Sequence, residues 1–212
     1  MSNENNVYKI LEIIHQMFPN AHCELNYHNV YELTVAVMLS AQTTDKAVNE
    51  VTVGLFQHYP TLQSLAEAKI NDVEQDIKRI GLYHNKAINI IKMAQEVIEK
   101  HHGEIPSNFN DLIKLPGIGQ KTANVILVEY FKIPRFPVDT HVDRVCKRLG
   151  FVEDDKNVND VENKMMTLIN KKDYHLAHHL FLFWGRYHCL SRNPKCDNCP
   201  LIQYCIYKTK KP

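Results

Sequence analysis

Four cysteines fall within seventeen residues near the C-terminus, in the spacing Cys189-x6-Cys196-x2-Cys199-x5-Cys205. Thiolates this close can surround one metal centre, and two chemistries suit them, a zinc ion or an iron–sulfur cluster. Zinc sites built from four cysteines usually present two separate close pairs. Here a single close pair is flanked by spacers of six and five, which suits a larger inorganic core wrapped by a loop. Cys23 and Cys146 stand apart from this group and read as small buried thiols.

A second group of residues begins at Leu115-Pro116-Gly117-Ile118-Gly119-Gln120-Lys121-Thr122-Ala123 and runs into the apolar stretch 124–131. Gly117 and Gly119 permit φ above zero and close approach, so successive N–H groups and the start of the following helix can point at one phosphate oxygen. The pattern is that of a helix-hairpin-helix, and its plainer alternative is a glycine turn joining two helices. A phosphate contact of this kind positions a protein on nucleic acid without reading sequence.

Lys121 lies in the first turn of that second helix, where the helix dipole disfavours a cation. Bringing a lysine from about 10.4 to about 7.5 takes differential interactions of about 4 kcal/mol. A helix N-terminus, desolvation and nearby cations together can supply them, giving an amine able to form a Schiff base. The alternative is a solvated lysine on a phosphate. Eighteen positions on stands Asp139, in Pro137-Val138-Asp139-Thr140-His141-Val142-Asp143-Arg144. Asp139 could cap the next helix, or Thr140 and Asp143 could form a capping box and leave Asp139 for chemistry. His141 reads equally as a support for Asp139 or as a proton carrier. The spacing of His175, His178 and His179 could bind a metal, but a histidine-rich helix face is the plainer reading.

The elements that must hold these residues read as helices almost throughout. In residues 84–101 Ala87, Ile91, Ala94 and Ile98 follow helical spacing with polar residues between, and Ala177, Leu180, Phe181 and Trp184 repeat the pattern. Residues 33–39 (LTVAVML) form an apolar run that periodicity alone does not separate from a buried strand, and we assign it to a helix because no partner strand is evident. Prolines and glycines punctuate the helices at intervals too short for linkers between independent domains.

The 212 residues carry 25 Lys+Arg against 24 Asp+Glu, which argues against a polycationic binder and leaves any nucleic-acid affinity to local charge. Seven basic and three acidic residues fall in 112–148, eight basic and two acidic in 171–212, and five acids with one Lys in 153–162 between them. Two basic segments separated by an acidic loop could frame a phosphate-binding groove. Arg192, Lys195, Lys208, Lys210 and Lys211 would balance a cluster's negative charge or face DNA. The polar N-terminus has no signal-peptide pattern and no apolar run reaches membrane-spanning length, so we expect a cytoplasmic protein with no membrane partner.

With these residues in view, the chain resembles the endonuclease III family, helix-hairpin-helix DNA glycosylases with a [4Fe–4S] cluster. The resemblance runs from about Val7 to Cys205. It rests on Leu39-Ser40-Ala41-Gln42-Thr43-Thr44-Asp45, Gly81-Leu82-Tyr83, residues 115–123, Val138-Asp139-Thr140-His141 and the four-cysteine spacing. It implies an all-α fold of two helical lobes. One is a six-helix barrel over residues 23–133 that includes the helix-hairpin-helix (about 108–131), and the other joins residues 1–22 to 134–212 and carries the cluster loop, 189–205.

The resemblance further implies a bifunctional DNA glycosylase and abasic-site lyase of base excision repair, acting on oxidised pyrimidines in damaged double-stranded DNA. Lys121 matches the nucleophile and Asp139 the catalytic carboxylate. Gln42 and Leu82 match the residues that fill the stack after a nucleotide is flipped out, and Gly117, Ile118 and Gly119 the hairpin that grips the backbone. Cys189, Cys196, Cys199 and Cys205 match the cluster ligands, with the cluster shaping the loop between Cys189 and Cys196 rather than cutting DNA. A monomer suits an enzyme that grips a kinked duplex.

Three competing readings are weaker. An adenine glycosylase lacks the nucleophilic lysine and carries a further C-terminal domain, for which no room is expected after Cys205. A pyrimidine-dimer glycosylase would use the same Lys and Asp, and a cluster-bearing binding or electron-transfer module leaves those two residues unexplained. The near-neutral charge departs from the basic character expected of the family and predicts few phosphate contacts and a shallow salt dependence of binding.

Overall fold

The computed structural model describes residues 4–207. Among them are eleven α-helices and no strand, and the chain divides into two compact units, Glu24–Ile133 and Met1–Cys23 with Pro134–Pro212. None of the described helices is long and apolar enough to cross a membrane. Lys208, Lys210 and Lys211, expected to balance a cluster or face DNA, lie outside the described residues.

In order along the chain the helices are α1 (Val7–Met17), α2 (Val30–Leu39), α3 (Asp45–His58), α4 (Leu62–Ala66), α5 (Ile70–Ile77), α6 (Tyr83–His101), α7 (Phe109–Leu112), α8 (Gln120–Glu129), α9 (Thr140–Arg148), α10 (Val158–Leu168) and α11 (Tyr174–Phe183). The unit Glu24–Ile133 is built around α2, in which eight of ten residues, Tyr31 and Leu33 to Leu39, are buried. This explains its lack of periodicity: a helix covered on every side has no polar face to mark its period. It packs against α3, α6 and α8. Asn29 starts it, its side chain accepting from the Glu32 N–H at 2.9 Å, which supplies the N-terminal signal that the apolar run itself does not.

The long helix α6 buries Lys86, Ala87, Ile90, Ile91, Met93, Ala94 and Val97 against α4 and α5 among others. The expected stripe is therefore right in three of its four members, while Ile98 is only half-buried and Ile90, Met93 and Val97 extend the seam. One member of that seam is a lysine.

In the other unit α1, α9, α10 and α11 enclose a core that includes Ile10, Ile14, Phe136, Val142, Val145, Phe151, Phe181 and Trp184. Cys146 is fully buried there, and burial pushes its thiol far above the usual range. Cys23 is only half-buried. His178 is buried and its Nδ1 donates to the Pro137 carbonyl oxygen at 2.8 Å, so this ring is held by the backbone as a satisfied core histidine.

Candidate functional site

The hairpin 113–119 hangs from two apolar anchors, Leu115 and Ile118, which are 3% and 4% exposed. Asn108 caps α7 by accepting from the Asp111 N–H at 3.0 Å, and the Ile118 N–H closes the turn onto the Leu115 carbonyl at 3.1 Å. Gly117 has φ +76°, and a Cβ built there would lie 2.9 Å from Asn89 Cβ and 3.0 Å from Met38 Cε. Conformation and space both demand glycine at this position.

Gly119 departs from the expectation of a second left-handed glycine. Its φ of −93° and ψ of 178° are ordinary extended backbone, and nothing lies within 4 Å of a Cβ placed on it. No demand of the fold excludes a side chain here. Gly119 is the N-cap of α8 and gives the first-turn amides no side-chain acceptor, so the positive end of the helix is left uncapped by its own residue. Ile118 turns its side chain inward, and only its backbone can meet a ligand. Lys121, the second residue of α8, is exposed and has no hydrogen-bond or ion-pair partner among the described residues.

Gln42 and Leu82 share an unusual backbone. Their φ values are 54° and 59°, a region that costs an L-residue about 1–2 kcal/mol. Both are exposed, Leu82 to 57%, and Leu82 occupies the N-cap of α6, where extended backbone is the rule. Beneath them Lys86, 7% exposed, donates from Nζ to Thr43 Oγ1 at 2.6 Å. Lys86 was not singled out by sequence reasoning. The available signal was its register, four, seven and eleven residues before the buried Ile90, Met93 and Val97.

In the other unit, the structure gives the helix cap to Asp139. Asp139 is the N-cap of α9, with Oδ1 accepting from the N–H groups of His141 and Val142, both at 2.9 Å. Oδ2 has no partner among the described residues, so one oxygen holds the helix end and the other is open. The Thr140–Asp143 capping box does not form; Asp143 instead receives Lys147 Nζ at 3.1 Å.

His141 is held in place by Arg144. Arg144 Nη2 lies 3.2 Å from its Nδ1, which places the ring proton on Nε2 because arginine only donates. Burial first, then Arg144 and Arg186, push its pKa below the ordinary histidine value, against an upward pull from Asp139. Gly185 lets the ring's backbone approach, since a Cβ there would lie 2.8 Å from His141 Cβ. Arg144 also donates to the carbonyl oxygens of Gly185 at 2.8 Å and Cys189 at 3.1 Å. It thereby joins the Asp139 helix end to the first cysteine of the loop.

All four loop cysteines line one recess of about 380 Å³, part of it open to solvent, together with Arg148, Leu149, Trp184, His188 and Leu201 among others. None is in a disulfide. Arg148 donates to Cys189 Sγ at 3.3 Å, to the Leu190 carbonyl at 2.7 Å and to the Ser191 carbonyl at 3.2 Å, while Tyr207 covers its guanidinium at 4.1 Å. Burial raises the Cys189 and Cys199 thiols, and Arg148 works against this at Cys189. Four soft donors around one apolar-walled recess, with a half-buried cation on one of the sulfurs, fit the anionic thiolate shell of an iron–sulfur cluster.

Residues 35–171 match the family described as HhH-GPD superfamily base excision DNA repair protein, and residues 189–205 match the iron–sulfur binding domain of endonuclease III. Endonuclease III of Bacillus subtilis (strain 168) is 46% identical over 205 residues, covering 97% of this chain and 94% of the relative. That of Escherichia coli (strain K12) is 41% identical, covering 95% of each. Among solved structures, a trapped endonuclease III–DNA covalent intermediate is 45% identical with a TM-score of 0.95, covering 99% of each chain. A non-covalent endonuclease III–DNA complex is 45% identical with a TM-score of 0.96, covering 99% of this chain and 98% of the other. A thermostable thymine-DNA glycosylase, at 22% identity and a TM-score of 0.87, shares the fold. The chain belongs to the endonuclease III family of HhH-GPD base excision DNA repair proteins, DNA glycosylases with abasic-site lyase activity that carry a [4Fe–4S] cluster.

Proposed function

We propose that this enzyme removes oxidised pyrimidines from damaged double-stranded DNA and cuts the strand 3′ to the abasic site by β-elimination, working as a cytoplasmic, nucleoid-associated monomer. The observation that carries this reading is Lys121: an exposed amine without a partner among the described residues, in the first turn of α8, directly after a helix-hairpin-helix turn. The trapped covalent complex of the 45%-identical relative supports it by showing that such a scaffold bonds to DNA.

In this mechanism the neutral amine of Lys121 attacks C1′ of the flipped nucleotide. The C1′–N bond breaks and the base leaves with a proton. The C1′–O4′ bond then opens, O4′ taking the remaining proton of the amine; the resulting imine makes the C2′ proton acidic, its removal breaks the C3′–O bond, and water hydrolyses the imine to free Lys121. Asp139 takes the proton from the amine or stabilises positive charge on the sugar through its open Oδ2. DNA closing over exposed Lys121 excludes water and strengthens these charge interactions.

The hairpin of Gly117, Ile118 and Gly119 grips a phosphate through the amides that its turn leaves open, and Gln42 and Leu82 fill the vacated stack. Flipping costs a few kcal/mol and is easiest at damaged, poorly stacked bases, which contributes selectivity without base contacts. Cys189, Cys196, Cys199 and Cys205 would hold the cluster. When bound, it supplies four iron–thiolate bonds that order the segment they span.

The test is borohydride trapping on a duplex with one abasic site. A reduced covalent complex is expected, and none with Lys121→Ala. If neither protein is trapped while both bind the duplex, the nucleophile assignment fails. A panel of oxidised pyrimidines and pyrimidine dimers then tests the substrate range, and excision confined to dimers would overturn the lesion class.

A further inference from the structure

Lys86 breaks the pattern of its own helix. It sits in the buried seam of α6 at 7% exposure, and the described residues offer its ammonium one hydrogen-bond partner, the Thr43 hydroxyl at 2.6 Å, and no carboxylate. A buried ammonium bonded by a single neutral oxygen is a poor way to stabilise a core, because desolvation is not returned by a counter-charge. Burial lowers its pKa. A methionine would fill the same volume at less cost.

What the lysine ammonium does that methionine cannot is hold the Gln42 loop to the helix that begins at Leu82. Its backbone N–H donates to the Leu82 carbonyl at 3.0 Å and so closes the first turn of α6 onto Leu82. Its ammonium holds Thr43, the residue bonded directly to Gln42. Thr43 in turn fixes its own loop, its N–H donating to the Ser40 carbonyl at 3.1 Å and its hydroxyl to the Ala41 carbonyl at 3.3 Å. Two exposed left-handed residues far apart in sequence are therefore both reached from one residue, Leu82 through its backbone and the neighbour of Gln42 through its side chain.

We propose that Lys86 is a positioning residue that ties the Gln42 loop to the Leu82 turn through Thr43, so that both side chains enter the duplex as one preorganised piece. The proposal rests on the reading of Gln42 and Leu82 as the residues that fill the vacated stack. The energy of holding two strained loops in place is then supplied by the fold before DNA arrives, which is how preorganisation improves a binding step.

The test uses the cluster-loaded protein and a duplex with an abasic analogue beside 2-aminopurine, whose fluorescence rises on unstacking. Single-turnover rates are measured in parallel on a duplex with a true abasic site. Lys86→Met and Thr43→Val are each expected to lower the rate and the fluorescence amplitude by about tenfold, the scale of one lost charged hydrogen bond. The double variant falls no further than either single one, because both remove the same bond. Thr43→Ser, which keeps the hydroxyl, restores both readouts, whereas a merely structural role would show only in the melting temperature.

Wild-type rate and amplitude in Lys86→Met overturn the proposal, as do single effects that multiply in the double variant. If Lys86→Met fails to fold, Thr43→Val with Thr43→Ser carries the same comparison. Gln42→Ala and Leu82→Ala run alongside. Losses in these two without a loss in Lys86→Met refute the tie alone, and no loss in any of them refutes the stack-filling reading as well.

Discussion

The two glycines of the hairpin separate a folding requirement from a binding requirement. In Gly117→Ala the new methyl meets a left-handed backbone, φ +76°, and two neighbours at 2.9 and 3.0 Å. The backbone costs about 1–2 kcal/mol. The overlap adds about 1–3 kcal/mol, because Asn89 Cβ belongs to the frame of α6 and cannot rotate away. The sum is roughly 2–5 kcal/mol, and for a chain of this size each kcal/mol lowers the melting temperature by about 2–4 °C, so a fall of about 5–15 °C is expected. In Gly119→Ala the backbone is extended and the space is empty. Exchanging glycine for alanine at an N-cap costs under about 1 kcal/mol, a shift of no more than a few degrees. If phosphate approaches these amides, however, the methyl stands between them, and losing one charge-assisted bond weakens binding about tenfold or more. Thermal melts and anisotropy titrations of a labelled abasic-analogue duplex at fixed salt measure both. An equal loss of stability in the two variants, or wild-type DNA affinity in Gly119→Ala, would refute the reasoning.

Asp139→Asn keeps an N-cap acceptor, so the melting temperature should stay within about 2 °C while base excision falls about a hundredfold or more; unchanged turnover would remove the carboxylate from the mechanism. Cys199→Ala should lose the visible absorbance of the cluster and melt earlier, since metal binding here is folding free energy, and a protein that keeps both would count against the ligand assignment. For His141 the folded pKa lies below the ordinary value, so the unfolded chain binds the extra proton first and stability falls as pH drops through about 6.5. The melting temperature of His141→Gln should depend less on pH between about 7.5 and 5.5 than that of the parent, and identical slopes would show that the ring does not contribute.

Much of the helical architecture could be read from periodicity, and the exceptions have physical causes. The core face of α6 carries its period because one side meets solvent; α2 carries none because nearly every side is buried. At the site, Asp139 left two readings open because capping and chemistry call on the same group, and only the folded geometry shows that the cap takes Oδ1 alone and leaves Oδ2 for the proposed chemistry. Gly-x-Gly in the hairpin suggested two identical glycines, whereas one answers to the fold and the other to nothing inside the protein. Lys86 and Arg144 escaped altogether. Each acts through a partner remote in sequence, Thr43 in one case and Cys189 in the other, and spacing along the chain carries no trace of such a pairing.

The strained backbone also sorts itself by what compensates it. Five described non-glycine residues have positive φ: Gln42, Leu82, His102, Lys132 and Asn193. His102 ends α6, with its N–H on the Val97 carbonyl, and beyond α8 the Ile133 N–H returns to the Leu127 carbonyl just after Lys132. These are ordinary helix closures, in which recovered hydrogen bonds offset the conformation. Asn193 is a residue type that tolerates this region. Leu82 has neither excuse. It begins a helix rather than ending one, caps nothing with its side chain and leaves 57% of its surface in water. The free protein thus bears about 1–2 kcal/mol of strain for a side chain that folding does not use. On the proposed stack-filling role, the compensation lies outside the chain, in a duplex that the leucine enters. Leu82→Asn, which relaxes the backbone, should melt no lower than the parent and as much as a few degrees higher, while single-turnover cleavage of an abasic duplex falls about tenfold. A variant that melts several degrees lower would show that Leu82 serves the fold, and would return its left-handed backbone to the structural account.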